Sequence, residues 1–340
     1  MRLGYGLLSG QRAPGDDRSW RDVYAETLDL AEEADRLGFD SVWTTEHHFV
    51  DDGYMPSLLV TSAALAARTE RIAIATGVLL APLHHPLRLA EDAATVQLLA
   101  DGRLVLGLGL GWSRVEFSAF DADRTMRGRA MDEILPILRA AWSGHPLDHH
   151  GEVYDLEEVA VRPTPHVPIP IVIGGSAEPA IRRAARLADG FLSNASPEGF
   201  AEQVAIATDE MEAVDRDPST FSWRCYQYVW IGDDAVSAWD EALPHLVASR
   251  WKYSDMEASA VRGPGPLPEP PEPDEAAVES LRGRTLVGTA EQVAEGIRAI
   301  QEAAGVDIDF VSRSHFPGMS YAEQHEQLVR QAEELAPLLA

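Results

Sequence analysis

Short apolar runs alternate with amphipathic stretches along nearly the whole chain of 340 residues. Arg2–Leu8 has the composition of a strand. Behind it, Val23, Thr27, Leu30, Ala34 and Leu37 recur at helical spacing within Asp22–Leu37, and Gly38 stands where a helix stop belongs. The same two-part unit repeats. Asp40–Thr45 predicts a second strand and Ser57–Arg68 its helix. Ile72–Leu79 predicts a third strand, with a helix over Pro86–Leu99, and Leu104–Leu108 a fourth. Ile169–Ile173, Gly190–Ser193 and Arg224–Ile231 supply three more. In the last unit Thr285–Val287 reads as a short extended lead-in, and Thr289 with Gln292 has the spacing of a capping box. Val293, Ile297, Ile300 and Ala304 then form a stripe, Gly305 ends it, Ile308–Ser312 is an eighth strand, and a final helix covers Tyr321–Leu335.

Strands alternating with helices predict parallel βα units. Eight such units favour a closed (β/α)8 barrel of the TIM type, an α/β fold in a single domain over residues 1–340. A doubly wound sheet usually has fewer strands and a phosphate fingerprint after the first, and LLSGQRAPGDD contains none. Two segments interrupt the pattern. Residues 117–154, after strand four, read as an insertion holding a helix over Arg127–Trp142 and a polar turn around His149–Gly151. Residues 250–284, before strand eight, carry six prolines within Pro264–Pro273 and many acids, which argues against regular elements there. The segment fits either a solvated linker or a mobile lid.

Charge narrows the partners. Lysine and arginine total 28 against 55 acids, a formal charge of -27, so neither nucleic acid nor an anionic membrane is an expected partner. No run of apolar residues is long enough for a membrane span, and the amino terminus lacks the features of a secretory signal. The single cysteine, Cys225, excludes an intramolecular disulfide and a cysteine-based metal cluster. A cytoplasmic location is expected.

Active sites in such barrels lie at the carboxyl ends of the strands. After strand two comes Thr44-Thr45-Glu46-His47-His48-Phe49. Imidazole suits proton transfer near neutral pH, and because successive side chains alternate, one of the two histidines is expected to face the pocket. Gly77 and Val78 end strand three, where a glycine either admits a flat ligand or marks a bulge. Gly107-Leu108-Gly109-Leu110-Gly111-Trp112 lacks the GxGxxG spacing of a dinucleotide loop but leaves room for a flat ligand. Gly174, Gly175 and Ser176 open a helix after strand five, either as a phosphate site or as an ordinary helix start. Glycines at three strand ends have no evident packing purpose. His84 and His85 read as structural, His149 and His150 lack the spacing of a metal site, and no metal is expected. Glu46 and Glu91 are carboxylates available for a glycosidase pair, but Glu91 falls within a helix, where an ion pair is the simpler role.

The blocks GFDSVWTTEHHF, ERIAIATGVLLAPLHHPLRLAED and DGRLVLGLGLGWSRVEF, with PIPIVIGGSAEPAIRRAARLADGFL and VGTAEQVAEGI further on, cover most of the chain. Together they resemble the bacterial luciferase-like family of flavin-dependent monooxygenases. The resemblance implies a (β/α)8 barrel binding reduced FMN at the carboxyl ends, with dioxygen forming a flavin hydroperoxide that oxygenates a small organic substrate. It also implies a separate NAD(P)H-dependent flavin reductase and a homodimer. By the same resemblance His47 lies beside the flavin and serves catalysis. A non-prolyl cis peptide falls at Gly77-Val78, and the phosphate falls at Gly174, Gly175 and Ser176 with Ser193 nearby. Bacterial luciferase has a reactive cysteine where this chain has Gly109 and a phosphate-binding arginine where it has Leu110. Both departures argue against light emission, and they leave the phosphate on the Ser176 loop unless another arginine substitutes. Tyr54, Trp112 and the insertion are expected at the rim, where specificity is set.

Two other readings stand beside this one. Relatives of the same barrel transfer hydride with a deazaflavin of the F420 type, whose acidic tail asks for a basic patch such as Arg12, Arg18 or Arg88. Others bind flavin without turnover.

Overall fold

The alternation of apolar strands with amphipathic helices appears, in a computed structural model describing residues 1–340, as a closed ring of parallel strands. The eight barrel strands are Arg2–Leu8, Ser41–Thr44, Ala73–Thr76, Leu104–Gly109, Ile171–Gly174, Gly190–Ser193, Ser222–Ile231 and Ile308–Arg313. Each pairs with the next in chain order, and the eighth closes on the first, with Arg2–Gly6 alongside Asp309–Arg313. All eight fall on the strands that the sequence predicts. The lead-in at Thr285–Val287 forms a short strand, Thr285–Gly288, beside the seventh.

Helix limits follow the local chemistry. In Trp20–Leu37 the stripe of Val23, Thr27, Leu30 and Ala34 is buried against the barrel, and Ser19 accepts a hydrogen bond from the Asp22 amide at the start. Gly38 ends the helix at φ 90°, a left-handed conformation that costs a residue with a Cβ more than it costs glycine. Thr289 and Gln292 form both halves of the capping box, worth on the order of 1 kcal/mol. The barrel interior is filled rather than hollow: Leu7, Trp43, Ala75, Val172, Leu192 and Val311 pack together inside it. That apolar plug forms the base on which the site is built.

The two interrupting segments contain more regular structure than expected. Helix Arg127–Ala141 packs between helices Pro86–Leu99 and Glu178–Leu187 and so takes the fourth place in the outer ring. What is added to the simple unit there is a short helix, Arg114–Ala119, and an antiparallel hairpin of Leu147–His150 with Asp155–Val159. His149 pairs with Glu133 and His150 with Asp155.

The segment before strand eight is likewise not irregular throughout. Helix Ala235–Ser259 runs through its first part and helix Glu275–Arg282 closes it; all six prolines of Pro264–Pro273 lie between them. We call this stretch the arm. Its first helix is pinned to the loop after strand two. Lys252, whose side chain is 8% exposed, meets Asp51, Asp52 and Asp255, and Arg262 joins Asp51 and Asp255. No helix is long and apolar enough to cross a membrane.

Candidate active site

A cavity of about 380 Å³ opens at the carboxyl ends of the strands. His47, Gly77, Val78, Gly109, Gly174, Gly175, Ser176 and Trp112 all line it, so loops from four different βα units converge on one space. Two expected residues do not. Ser193 is buried in the wall, its hydroxyl donating to Gln203 Oε1 at 2.6 Å and accepting from the Ala195 amide at 3.1 Å. The adjacent Asn194 lines the cavity instead. Tyr54 lies behind His47 rather than at the rim. It is 3% exposed, with its hydroxyl 3.3 Å from Thr45 Oγ1 and 3.2 Å from Tyr253 Oη.

The basic residues suggested for the mouth are also elsewhere. Arg12 stacks on Trp20, Arg18 pairs with Asp16 and Glu26, and Arg88 pairs with Glu91.

The floor shows why three strands end in glycine. The Gly77-Val78 peptide is cis. The Val78 side chain lies in the space that side chains at Gly109 and Gly174 would fill; a Cβ on Gly174 would stand 2.7 Å from Val78 Cγ1. A Cβ on Gly77 would stand 2.9 Å from Leu7 Cδ2 and from Trp43 Cε3. The glycines therefore have a packing purpose, contrary to the expectation from sequence. They leave room for Val78 beside Leu7 and Leu192, and these three side chains give the cavity an apolar floor.

Above that floor, in the loop that follows Ser41–Thr44, the two histidines turn opposite ways. His47 Nδ1 lies 2.9 Å from Glu116 Oε1, and the His48 backbone amide donates to the same oxygen at 2.9 Å. Glu116 is 1% exposed, on the short helix capped by Ser113. A neutral imidazole that donates from Nδ1 to this carboxylate carries its free lone pair on Nε2, so Glu116 selects the tautomer. Rings of Tyr54, Trp112 and Tyr253 enclose the imidazole at 4.9, 5.9 and 5.7 Å between centroids.

His48 turns away, with Nε2 2.6 Å from Glu46 Oε1, while Glu46 Oε2 accepts from the Leu80 amide at 2.8 Å. Burial opposes ionisation of Glu46, but the hydrogen bond with His48 and the nearby His84 ring, 3.6 Å away, outweigh it and hold the carboxyl below its ordinary pKa. Glu46 thus braces the wall, and His84 and His85 are structural, the latter capping helix Pro86–Leu99.

At the far side Gly174–Ala177 leads into helix Glu178–Leu187, whose start has no side-chain cap. Uncapped amides at a helix start attract an anion. Arg127 lines the same cavity, its Nη1 donating to the Arg124 carbonyl at 2.6 Å and its Nε buried and unpartnered, so a guanidinium stands in the cavity that Leu110 also lines. Neither Glu116 nor Arg127 is marked by spacing in the sequence.

Tyr253 reaches in from the arm, its hydroxyl accepting from Arg313 Nη2 at 3.1 Å. Burial opposes its ionisation, yet the neighbouring Arg313 cation brings its phenol below the ordinary value. The whole arrangement can hold a flat ring on the Val78 floor and an anionic end at Gly174–Ala177, with a proton carrier at His47.

The comparisons with known proteins give the family and the fold. A family model described as luciferase-like monooxygenase matches residues 1–307. The chain is 32% identical over 218 residues to an F420-dependent glucose-6-phosphate dehydrogenase from Microbacterium testaceum. That match covers 62% of each protein, so the chain spans less than two thirds of that relative's length. It is 29% identical over 321 residues to the 4-hydroxyprotoasukamycin monooxygenase of Streptomyces nodosus subsp. asukaensis, over 89% of this chain and 84% of that one. A solved monooxygenase from Streptomyces bottropensis superposes with a TM-score of 0.84 at 26% identity, over 100% of both chains.

Proposed function

The chain belongs to the luciferase-like monooxygenase family of enzymes, and from that premise we propose that it binds reduced FMN in the His47 cavity and uses dioxygen to oxygenate a small organic substrate. The observation that carries this reading is a single cavity holding both the buried His47–Glu116 pair and, across an apolar floor, the Gly174–Ala177 helix start with Arg127, whose Nε has no partner. The residues fit a phosphorylated flavin. Its rings match the Val78 floor, and its phosphate matches free amides and a guanidinium. The likeness to the Streptomyces nodosus monooxygenase supports the same chemistry.

Reduced FMN, when bound, supplies the two electrons with which one oxygen atom enters the substrate and the other leaves as water. The protein's part is positional. Val78 and Leu192 support the ring face, Arg127 and the helix start hold the phosphate, and Trp112 and Tyr253 keep water from the imidazole. His47 exchanges a proton at Nε2 while Glu116 holds Nδ1. The reduced flavin comes from a separate NAD(P)H-dependent reductase.

Anaerobic calorimetry with reduced FMN, reduced riboflavin and reduced F420 tests the reading. Reduced FMN is expected to bind about tenfold or more tightly than riboflavin, through its phosphate. Binding of the deazaflavin alone would replace oxygen transfer with hydride transfer. That second reading is favoured by the likeness to the Microbacterium testaceum dehydrogenase.

A further inference from the structure

A second cavity, of about 470 Å³, lies between the barrel mouth and the arm and meets the His47 cavity at Asn194 and Tyr226. At its base is Arg313, the last residue of the eighth strand, 8% exposed. Its guanidinium lies over the Tyr228 ring, 4.4 Å from the centroid, and donates to Tyr253 Oη. No carboxylate lies within 4.0 Å of it, and its remaining N–H groups are not sealed from the cavity. A buried guanidinium without a counter-charge is costly.

Shortage of acid does not explain the missing partner, because the chain has 55 acids. Lys252, on the same arm and equally buried, is met by three aspartates. At the rim of the cavity Arg250 and Arg284 also lack an ion pair. The acids of its roof are Glu272, which is unpaired, and Asp274, which caps helix Glu275–Arg282 through the Ala277 amide at 2.7 Å. Tyr226, Tyr228 and Trp251 are the aromatic residues that line the cavity, and Tyr228 is stacked on Phe316 on one side with the guanidinium over its ring.

We propose that this cavity binds the carboxylate of an aromatic organic acid on Arg313, and that this acid is the substrate; the second half rests on the function proposed above. A planar carboxylate matches the guanidinium fork, and the aromatic side chains that line the cavity match an aromatic body. Arg313 is one hydrogen bond from Tyr253, whose ring is 5.7 Å from that of His47. A body extending from Arg313 through the opening at Asn194 and Tyr226 therefore reaches the His47 cavity. The acidic tail of a deazaflavin has the same chemistry, but the opening is not at Gly174–Ala177, where the phosphate end of a cofactor belongs.

The test is calorimetry on the full chain with benzoate and, as a neutral isostere, benzamide. Wild type is expected to prefer benzoate by about tenfold or more, and Arg313→Gln to lose that preference. No preference in wild type, or an unchanged one in R313Q, overturns the proposal. Should R313Q fail to fold, Arg313→Lys decides, since unchanged benzoate affinity without the planar fork also overturns it.

Coenzyme F420 and its tail-less deazaflavin riboside separate the two sources. R313Q is expected to leave both affinities unchanged, and a loss confined to F420 assigns the cavity to the cofactor tail and overturns the substrate assignment. The benzoate titration needs no flavin, so failure at Arg313 leaves the FMN reading standing, and failure of reduced FMN to bind leaves the Arg313 result standing.

Discussion

Two cavities share the mouth of this barrel, and they are built from opposite materials. The cavity at His47 is shaped by backbone features of the barrel: glycines at three strand ends that seat Val78, and the open start of a helix, with the imidazole held by one buried carboxylate. The cavity at Arg313 is made of long side chains, several of them from the arm. Backbone is fixed by the barrel's hydrogen-bond ladder and cannot be altered by exchanging one side chain. It suits a ligand whose shape never varies, such as a cofactor. Side chains from an arm can be exchanged without disturbing the barrel, and they suit a substrate. The division predicts that changes in one cavity leave ligand binding in the other nearly intact.

The largest effect is expected at His47. His47→Ala should lower kcat by about a hundredfold or more, the usual size of a proton-transfer contribution, while reduced FMN affinity changes by about threefold at most. Stopped-flow turnover beside anaerobic titration checks both halves. Unchanged turnover would sink the proton-carrier role.

Next in size is the latch of the arm. Lys252→Met leaves Asp51, Asp52 and Asp255 with one fewer cation in a buried setting, and breaking such a network costs about 3 kcal/mol. Denaturant unfolding should show that loss. The benzoate site should weaken with it, whereas reduced FMN, resting on barrel backbone, should bind within about threefold of wild type. Equal loss at both cavities would show that the two are not built independently.

Arg127→Gln is expected to act more narrowly. It removes a charge-assisted contact to a phosphate, worth about tenfold in FMN affinity, and leaves riboflavin binding unchanged. Equal weakening of both flavins would show that Arg127 serves the fold rather than the phosphate.

These tests turn on residues of unequal legibility. The barrel strands could be read because each is a short apolar run buried on both sides, and helices Trp20–Leu37 and Ala290–Ala304 because glycine ends each. The hairpin at Leu147–His150 and Asp155–Val159 escaped because its positions are mostly polar and largely exposed, so no apolar alternation marks it. The end of the arm's first helix is masked in the sequence by the proline run that begins at Pro264, although Arg250–Ser259 contains no proline. His47 was legible from its place at a strand end. Glu116 lies 69 residues away in sequence, and only closure of the barrel brings the two together. Arg127 and Arg313 are informative for what they do not contact, which no sequence pattern records.

The smallest effect compares the two cavities in acid. Glu46 is held below its ordinary carboxyl pKa by its histidine partners, against the opposing effect of burial. Because the folded value is the lower one, its contribution to stability is present in full above the unfolded value. It is lost as pH falls through the folded one. Glu46→Gln should therefore flatten the fall in melting temperature below about pH 4, and have less effect on that slope near neutrality. Arg313 does not titrate in this range, so R313Q should keep the wild-type acid slope whatever it does to benzoate. A flattened slope in R313Q and an unchanged one in E46Q would reverse the assignment of the acid-sensitive brace.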